Sequence, residues 1–216
     1  MRSRLALGVV LGLLVPHVAG AQSAELLSRA DAETLARVTP LLQAAARDSL
    51  PLRALESKVL EGVTKGVPAD RIGNVVSGLA DEFRAARAAL RDQLPDAALR
   101  DGEIVAVATA ARQGVGVEVS RSLWASRAGD GSLEVPVTVL GELVRRGVPV
   151  ARAAEVMAHV VGTSVPLPVA AQIPGKIDGA VGAGASPGTA LASALRALNI
   201  PNPPNRPQGK GRRPGG

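Results

Sequence analysis

Residues that could do chemistry are few in this chain, and none has the company that catalysis needs. His159 is the one histidine beyond residue 17. Beside Met157 and Val160 it reads as a packed or surface side chain, because a general base or metal ligand needs polar partners. The stretch "VGAGASPG" at 181–188 is rich in glycine but has no Lys-Ser/Thr pair to hold phosphate. Its Ser186 lacks the Gly-x-Ser-x-Gly spacing of a nucleophile elbow. Asp81 with Glu82, and Asp101 with Glu103, are acid pairs, yet neighbours so close point apart on a helix and are expected as solvated charges. "AGDGSLE" at 128–134 offers only Asp130 inside the loop and Glu134 after it, too few oxygens for a calcium loop. With no cysteine, disulfides, thiolate metal sites and thiol nucleophiles are excluded. No catalytic, metal-ligating or cofactor-binding residue is assigned.

Positive charge is concentrated at the C-terminus. Arg196, Arg206, Lys210, Arg212 and Arg213 meet no acid from residue 196 onward, while the body before them is close to neutral. The last sixteen residues, "PNPPNRPQGKGRRPGG", hold five prolines and four glycines and no other apolar side chain, so they cannot offset the entropy of ordering. Residues 201–216 are expected as a disordered basic tail. Arg206, Lys210, Arg212 and Arg213 are its candidate contacts to an anionic surface.

A different kind of signal recurs three times. "KGVPADRI" at 65–72, "QGVGVEVS" at 113–120 and "RRGVPVAR" at 145–152 each interrupt apolar periodicity. A glycine that adopts a left-handed conformation ends a helix cheaply. Cations before it suit the negative end of the helix dipole, and proline suits the start of the next helix. Gly66, Gly114 and Gly147, with Pro68 and Pro149, are therefore read as structural turns. A DNA-reading helix-turn-helix is disfavoured by Asp70, Asp81 and Glu82 on the helix after the first turn.

The elements around these turns follow from spacing. Leu52, Leu55, Val59 and Val63 repeat at helical intervals, as do Ile72, Val75, Val76, Leu79 and Phe83. Aligning the turns makes Val59 equivalent to Val107 and Leu140, and Val75–Val76 equivalent to Leu123–Trp124 and Val156–Met157. The β-prone "VPVTV" at 135–139 falls at the start of a helix in this alignment. An earlier helix is expected over residues 23–38, capped by Ser23 and broken or kinked near Pro40. The fold predicted is all-α: an irregular array of three short helical hairpins over residues 22–162. A Gly/Pro-rich irregular segment follows over 163–200, with one short helix capped by Thr189. The hairpins resemble helical repeats in general, without the diagnostic residues of tetratricopeptide or ankyrin units. Aromatic residues make up 1% of the chain, so the core must be built from Ala, Val, Leu and Ile.

The address is written at the start. Arg2 and Arg4 precede an uncharged run from Leu5 to Val15, and "AGA" at 19–21 supplies small residues for cleavage. Residues 1–21 read as a signal peptide, giving an exported protein, periplasmic or extracellular, with no transmembrane segment once the signal is removed. The expectation is a non-enzymatic binding or scaffolding module of the bacterial cell envelope. Its partner is an envelope protein or an anionic envelope surface, and not DNA. The alternative is an envelope enzyme, or an enzyme accessory, using Asp and Glu carboxylates.

Overall fold

The structure is a computed structural model that describes residues 28–91, 99–126, 131–163 and 165–203. The described residues are all-helical, without strands. In chain order the helices are α1 (Ala32–Arg47), α2 (Leu52–Thr64), α3 (Ala69–Arg91), α4 (Asp101–Arg112), α5 (Val117–Ala125), α6 (Glu134–Arg145), α7 (Val150–Gly162), α8 (Leu167–Ala170), α9 (Ile173–Gly182) and α10 (Pro187–Ala197). The signal-peptide residues, Ser23, and the tail cations Arg206, Lys210, Arg212 and Arg213 lie outside the described residues. Among the described residues no helix is long and apolar enough to cross a membrane.

Local chemistry explains most boundaries. The carboxylate of Asp31 accepts the Thr34 N–H at 2.7 Å and caps α1, so the helix starts at Ala32. Pro40 does not break it: α1 runs on to Arg47. Pro40 and Ala36 both face solvent, so water can satisfy the carbonyl that the missing proline N–H leaves free. The β-prone "VPVTV" lies in the first turns of α6, where Val137 and Val139 turn inward. Tertiary burial there overrides strand propensity.

One apolar core runs from Val38 to Ile200. α3 is its spine, burying Ile72, Val76, Leu79, Phe83, Ala86 and Leu90 as a stripe with helical spacing. α1 and α2 pack against one side of α3, and α4 and α5 against another. α4 then packs on α6, α6 on α7, α8 and α9, and α9 on α10. Of the positions aligned across the turns, Val59, Val107 and Leu140 are all buried, as are Val76, Trp124 and Met157. Val75 departs from this: it is 46% exposed whereas Leu123 and Val156 are buried.

The segment after residue 163 is not irregular. α8, α9 and α10 occupy it, and Ile173, Ile177, Leu191 and Leu195 enter the core. Its prolines mark helix starts: Pro168, Pro174 and Pro187 each sit within the first two positions of α8, α9 and α10. Ser186, rather than Thr189, caps α10, with its hydroxyl accepting the Thr189 N–H at 3.3 Å.

Candidate functional site

Each of the three glycine turns has one hydrogen-bond pattern. At Gly66 (φ +64) the glycine N–H donates to the Val63 carbonyl and the Val67 N–H donates to the Gly62 carbonyl. Gly114 with Val115, and Gly147 with Val148, repeat both bonds. This is the Schellman closure, in which the residue after the glycine satisfies a carbonyl of the helix it leaves. The pattern is also wider than the glycine-valine signature. Ser49 with Leu50, Gly184 with Ala185, and Asn199 with Ile200 make the same pair of bonds, with Ser49 and Asn199 also at positive φ. The prolines differ slightly from expectation. Pro149 is the N-cap of α7 rather than its first helical residue, and Pro68 precedes α3, its carbonyl accepting the Ile72 N–H.

The predicted turn residues are therefore dispersed along the fold, each closing its own helix. Two of them do meet neighbours. A side chain at Gly147 would touch Pro187 at 3.4 Å, and one at Gly114 would lie 3.8 Å from Val144. Gly114 thus sits beside α6 and Gly147 beside the start of α10, whereas a side chain at Gly66 would meet nothing within 4 Å.

The helices that these joints aim leave two different flanks. α4 and α6 run parallel, Gly102 against Glu134 at one end and Gln113 against Glu142 at the other. Gly141 of α6 approaches the α4 backbone so closely that a Cβ there would stand 3.1 Å from Ala110 Cα and 2.0 Å from Gln113 Oε1. At the far end Glu142 collects Gln113 Nε2 at 2.9 Å, Arg145 at 2.6 Å, and the Arg146 guanidinium. Arg146 reaches on to both carboxylate oxygens of Asp178 on α9, at 2.7 and 2.8 Å. Hydrogen bonds from Arg145 and Arg146 hold the Glu142 carboxyl down at about 2. The hydrogen bonds from Arg146 likewise lower the Asp178 carboxyl. One ionic chain therefore ties α4, α6 and α9 together.

Glu103, expected as a solvated charge, is instead 2% exposed. Its Oε1 accepts the Leu133 N–H at 3.1 Å, so a carboxylate in the first turn of α4 caps the start of α6. Burial follows from α6 lying directly on the α4 N-terminus. Its Oε2 has no partner among the described residues. Of the other candidate acids, Asp81 pairs with Arg84 at 2.6 Å, Glu82 lies 3.5 Å from Arg112, and Asp130 is outside the described residues. Among the described residues no group of three or more His, Cys, Asp or Glu could hold a metal ion.

The opposite flank, between α5 and α7, is open. A groove of ≈ 430 Å³ lies there, with Ser122 and Ser126 on one wall and Ala151, Ala154, Glu155, Ala158 and His159 on the other. Both serine hydroxyls donate to their own helix, Ser122 to the Val119 carbonyl at 2.7 Å and Ser126 to the Ser122 carbonyl at 3.1 Å. His159 Nε2 is buried without a hydrogen-bond partner among the described residues. Pro203, from the segment after α10, is buried and completes the lining. On the core side of α5, Ser120 Oγ and Trp124 Nε1 are also buried, without partners among the described residues. Spacing flagged none of this, because alanine and serine carry almost no periodic signal.

A four-arginine cluster, Arg47, Arg84, Arg87 and Arg91, surrounds Asp48 where α1 ends beside α3. Arg87 donates to the Asp48 and Ser49 carbonyls, and Arg84 to the Asp48 carboxylate at 2.7 Å. These cations stand near the negative ends of two parallel helices, which suits the helix dipoles.

No family model, curated protein or solved structure matches this chain.

Proposed function

We propose that this chain is an exported, non-enzymatic helical protein of the bacterial cell envelope, built as an irregular array of helical hairpins and acting as a binding or scaffolding module. The supporting observation is the contrast between its flanks: α4, α6 and α9 are tied by an ionic chain, whereas α5 and α7 leave a groove of ≈ 430 Å³ open. A ligand-sized depression whose alanines alternate with Ser122, Ser126, Glu155 and His159, the serine hydroxyls already bonded to their own helix, supports a binding role. The signal-like residues 1–21 support export, and the cations Arg206, Lys210, Arg212 and Arg213 support contact with an anionic envelope surface.

Two measurements test this reading. Fractionated cells should yield an envelope protein whose N-terminus is Gln22; a cytoplasmic chain that retains residues 1–21 overturns export. Screening the mature protein against envelope hydrolase substrates should give no turnover. Turnover abolished by a single Asp or Glu substitution, at Glu103 for example, would establish the enzymatic alternative instead.

A further inference from the structure

Where α1 ends beside the last turns of α3, the surface forms an open depression of ≈ 390 Å³. Its lining sets four guanidiniums, Arg47, Arg84, Arg87 and Arg91, against one carboxylate, Asp48. Arg84, Arg87 and Arg91 share one face of α3, because three and four residues separate them. Leu50, Ala88 and Ser49 complete the wall.

Nearby acids and backbone dipoles offset only part of this charge. Asp48 and Asp81 both act on Arg84, at 2.7 and 2.6 Å. The negative ends of α1 and α3 together offset about one further charge. Among the described residues the depression therefore stays positive. Asp92 and Asp96 follow Arg91 in the chain, outside the described residues. Arg87 is held in place through Nη1, which donates to the Asp48 and Ser49 carbonyls at 2.5 Å each.

Ser49 points the same way on separate grounds. Its φ of +52 is left-handed, and glycine fills that position in four of the six described turns closed by the same pair of hydrogen bonds. Serine is strained there, and what it adds over glycine is a hydroxyl beside the arginines. Planar guanidinium forks match pairs of phosphate oxygens, and several forks can share one phosphate's charge. A carboxylate, with two oxygens and one charge, would use less of the cluster.

We propose that this depression is a site for a phosphoryl group, held by Arg47, Arg87 and Arg91 with the Ser49 hydroxyl while Arg84 engages Asp48. The group belongs to soluble phosphate or to a lipid headgroup. The lipid source rests on the reading that this protein contacts an anionic envelope surface.

Two arms on the full-length mature protein test the site. In the first, phosphate replaces chloride at constant ionic strength and the melting midpoint should rise. In the second, the protein should sediment with phosphatidylcholine vesicles only when they contain phosphatidic acid. Arg47→Gln should weaken binding about tenfold, the loss of a charge-assisted hydrogen bond. Ser49→Gly should weaken it about threefold, yet melt no lower than wild type without ligand, which separates the hydroxyl from the fold. Arg71→Gln removes the same charge from an exposed position of α3 outside the depression and should change nothing. A response to phosphate alone assigns the group to a soluble ligand, and a response to vesicles alone to a lipid. No response in either arm, or equal losses for Arg47→Gln and Arg71→Gln, overturns the site. Silence toward phosphate, with vesicle binding that survives Arg47→Gln but not Arg206→Gln, Lys210→Gln, Arg212→Gln and Arg213→Gln together, also overturns it and leaves surface contact to the tail. Phosphate binding without vesicle binding keeps the site and sinks the anionic-surface reading.

Discussion

The α4–α6 flank and the α5–α7 flank are made from the same two stretches of chain, folded at the same two turns, Gly114 and Gly147. They end up opposite in character. Between α4 and α6, Gly141 lets backbones nearly touch, and the Glu142–Arg146–Asp178 chain closes the rim. Between α5 and α7, alanines and serines face each other across a groove, and α5 carries buried polar atoms without partners among the described residues. A missing side chain brings helices together only where the neighbour's backbone is free to enter. Where both walls are small and nothing larger interlocks, a gap remains. In this protein sealing and openness are properties of pairs of helices, not of residue types.

The sharpest way to break the comparison is to overfill the sealed flank. Gly141→Val should destabilise by about 3 kcal/mol, since Ala110 belongs to a backbone that cannot move aside. A denaturation midpoint close to wild type would show that α4 and α6 are not interlocked. Arg146→Ala should cost about 2 kcal/mol, because the guanidinium is only 15% exposed and serves carboxylates on two helices.

Acid titration sharpens the same contrast. Glu142 titrates at about 2 in the fold, below its ordinary 4.5. Its contribution is therefore present above about pH 4.5 and lost as pH falls toward 2, up to about 2 kcal/mol. Glu142→Gln should flatten that part of the stability–pH curve, and an unchanged curve would remove the ionic chain from the account. Gly66→Ala should cost about 1 kcal/mol from its φ of +64 alone, since a Cβ there meets nothing within 4 Å. An unchanged or higher melting midpoint would contradict the turn chemistry. Smallest of all, Ala154→Ser on the open flank should fall within about 0.5 kcal/mol, as a surface substitution does. A loss as large as that of Gly141→Val would mean the groove is as tightly packed as its counterpart.

Much of the helical layout was legible in the residues. The apolar stripe of α3 and the turns at Gly66, Gly114 and Gly147 follow from local rules that need no partner. α9 was missed for an instructive reason: Ile173, Ile177 and Ala180 keep helical spacing, but Pro174, Gly175 and Gly179 among them read as an irregular segment. Ser49 and Asn199 were missed because residues other than glycine seldom take positive φ, and only packing of Leu50 and Ile200 holds them there. The groove had no sequence signal at all.

By itself, the sequence determined where three helices stop, at Gly66, Gly114 and Gly147, because a Schellman turn, a cap and a dipole-matched cation are satisfied within a few residues of one another. It also determined that the core would be aliphatic. Only the tertiary structure decided that Glu103 would be buried, capping the start of α6 from the first turn of α4. The same holds for Arg146 joining Glu142 to Asp178, and for Pro203 coming to rest between α5 and α7. Apart from the Arg146–Glu142 pair, four positions apart, those contacts link residues about thirty or more positions apart. Their free energy depends on which helix faces arrive side by side, and no local preference of the chain contains that information.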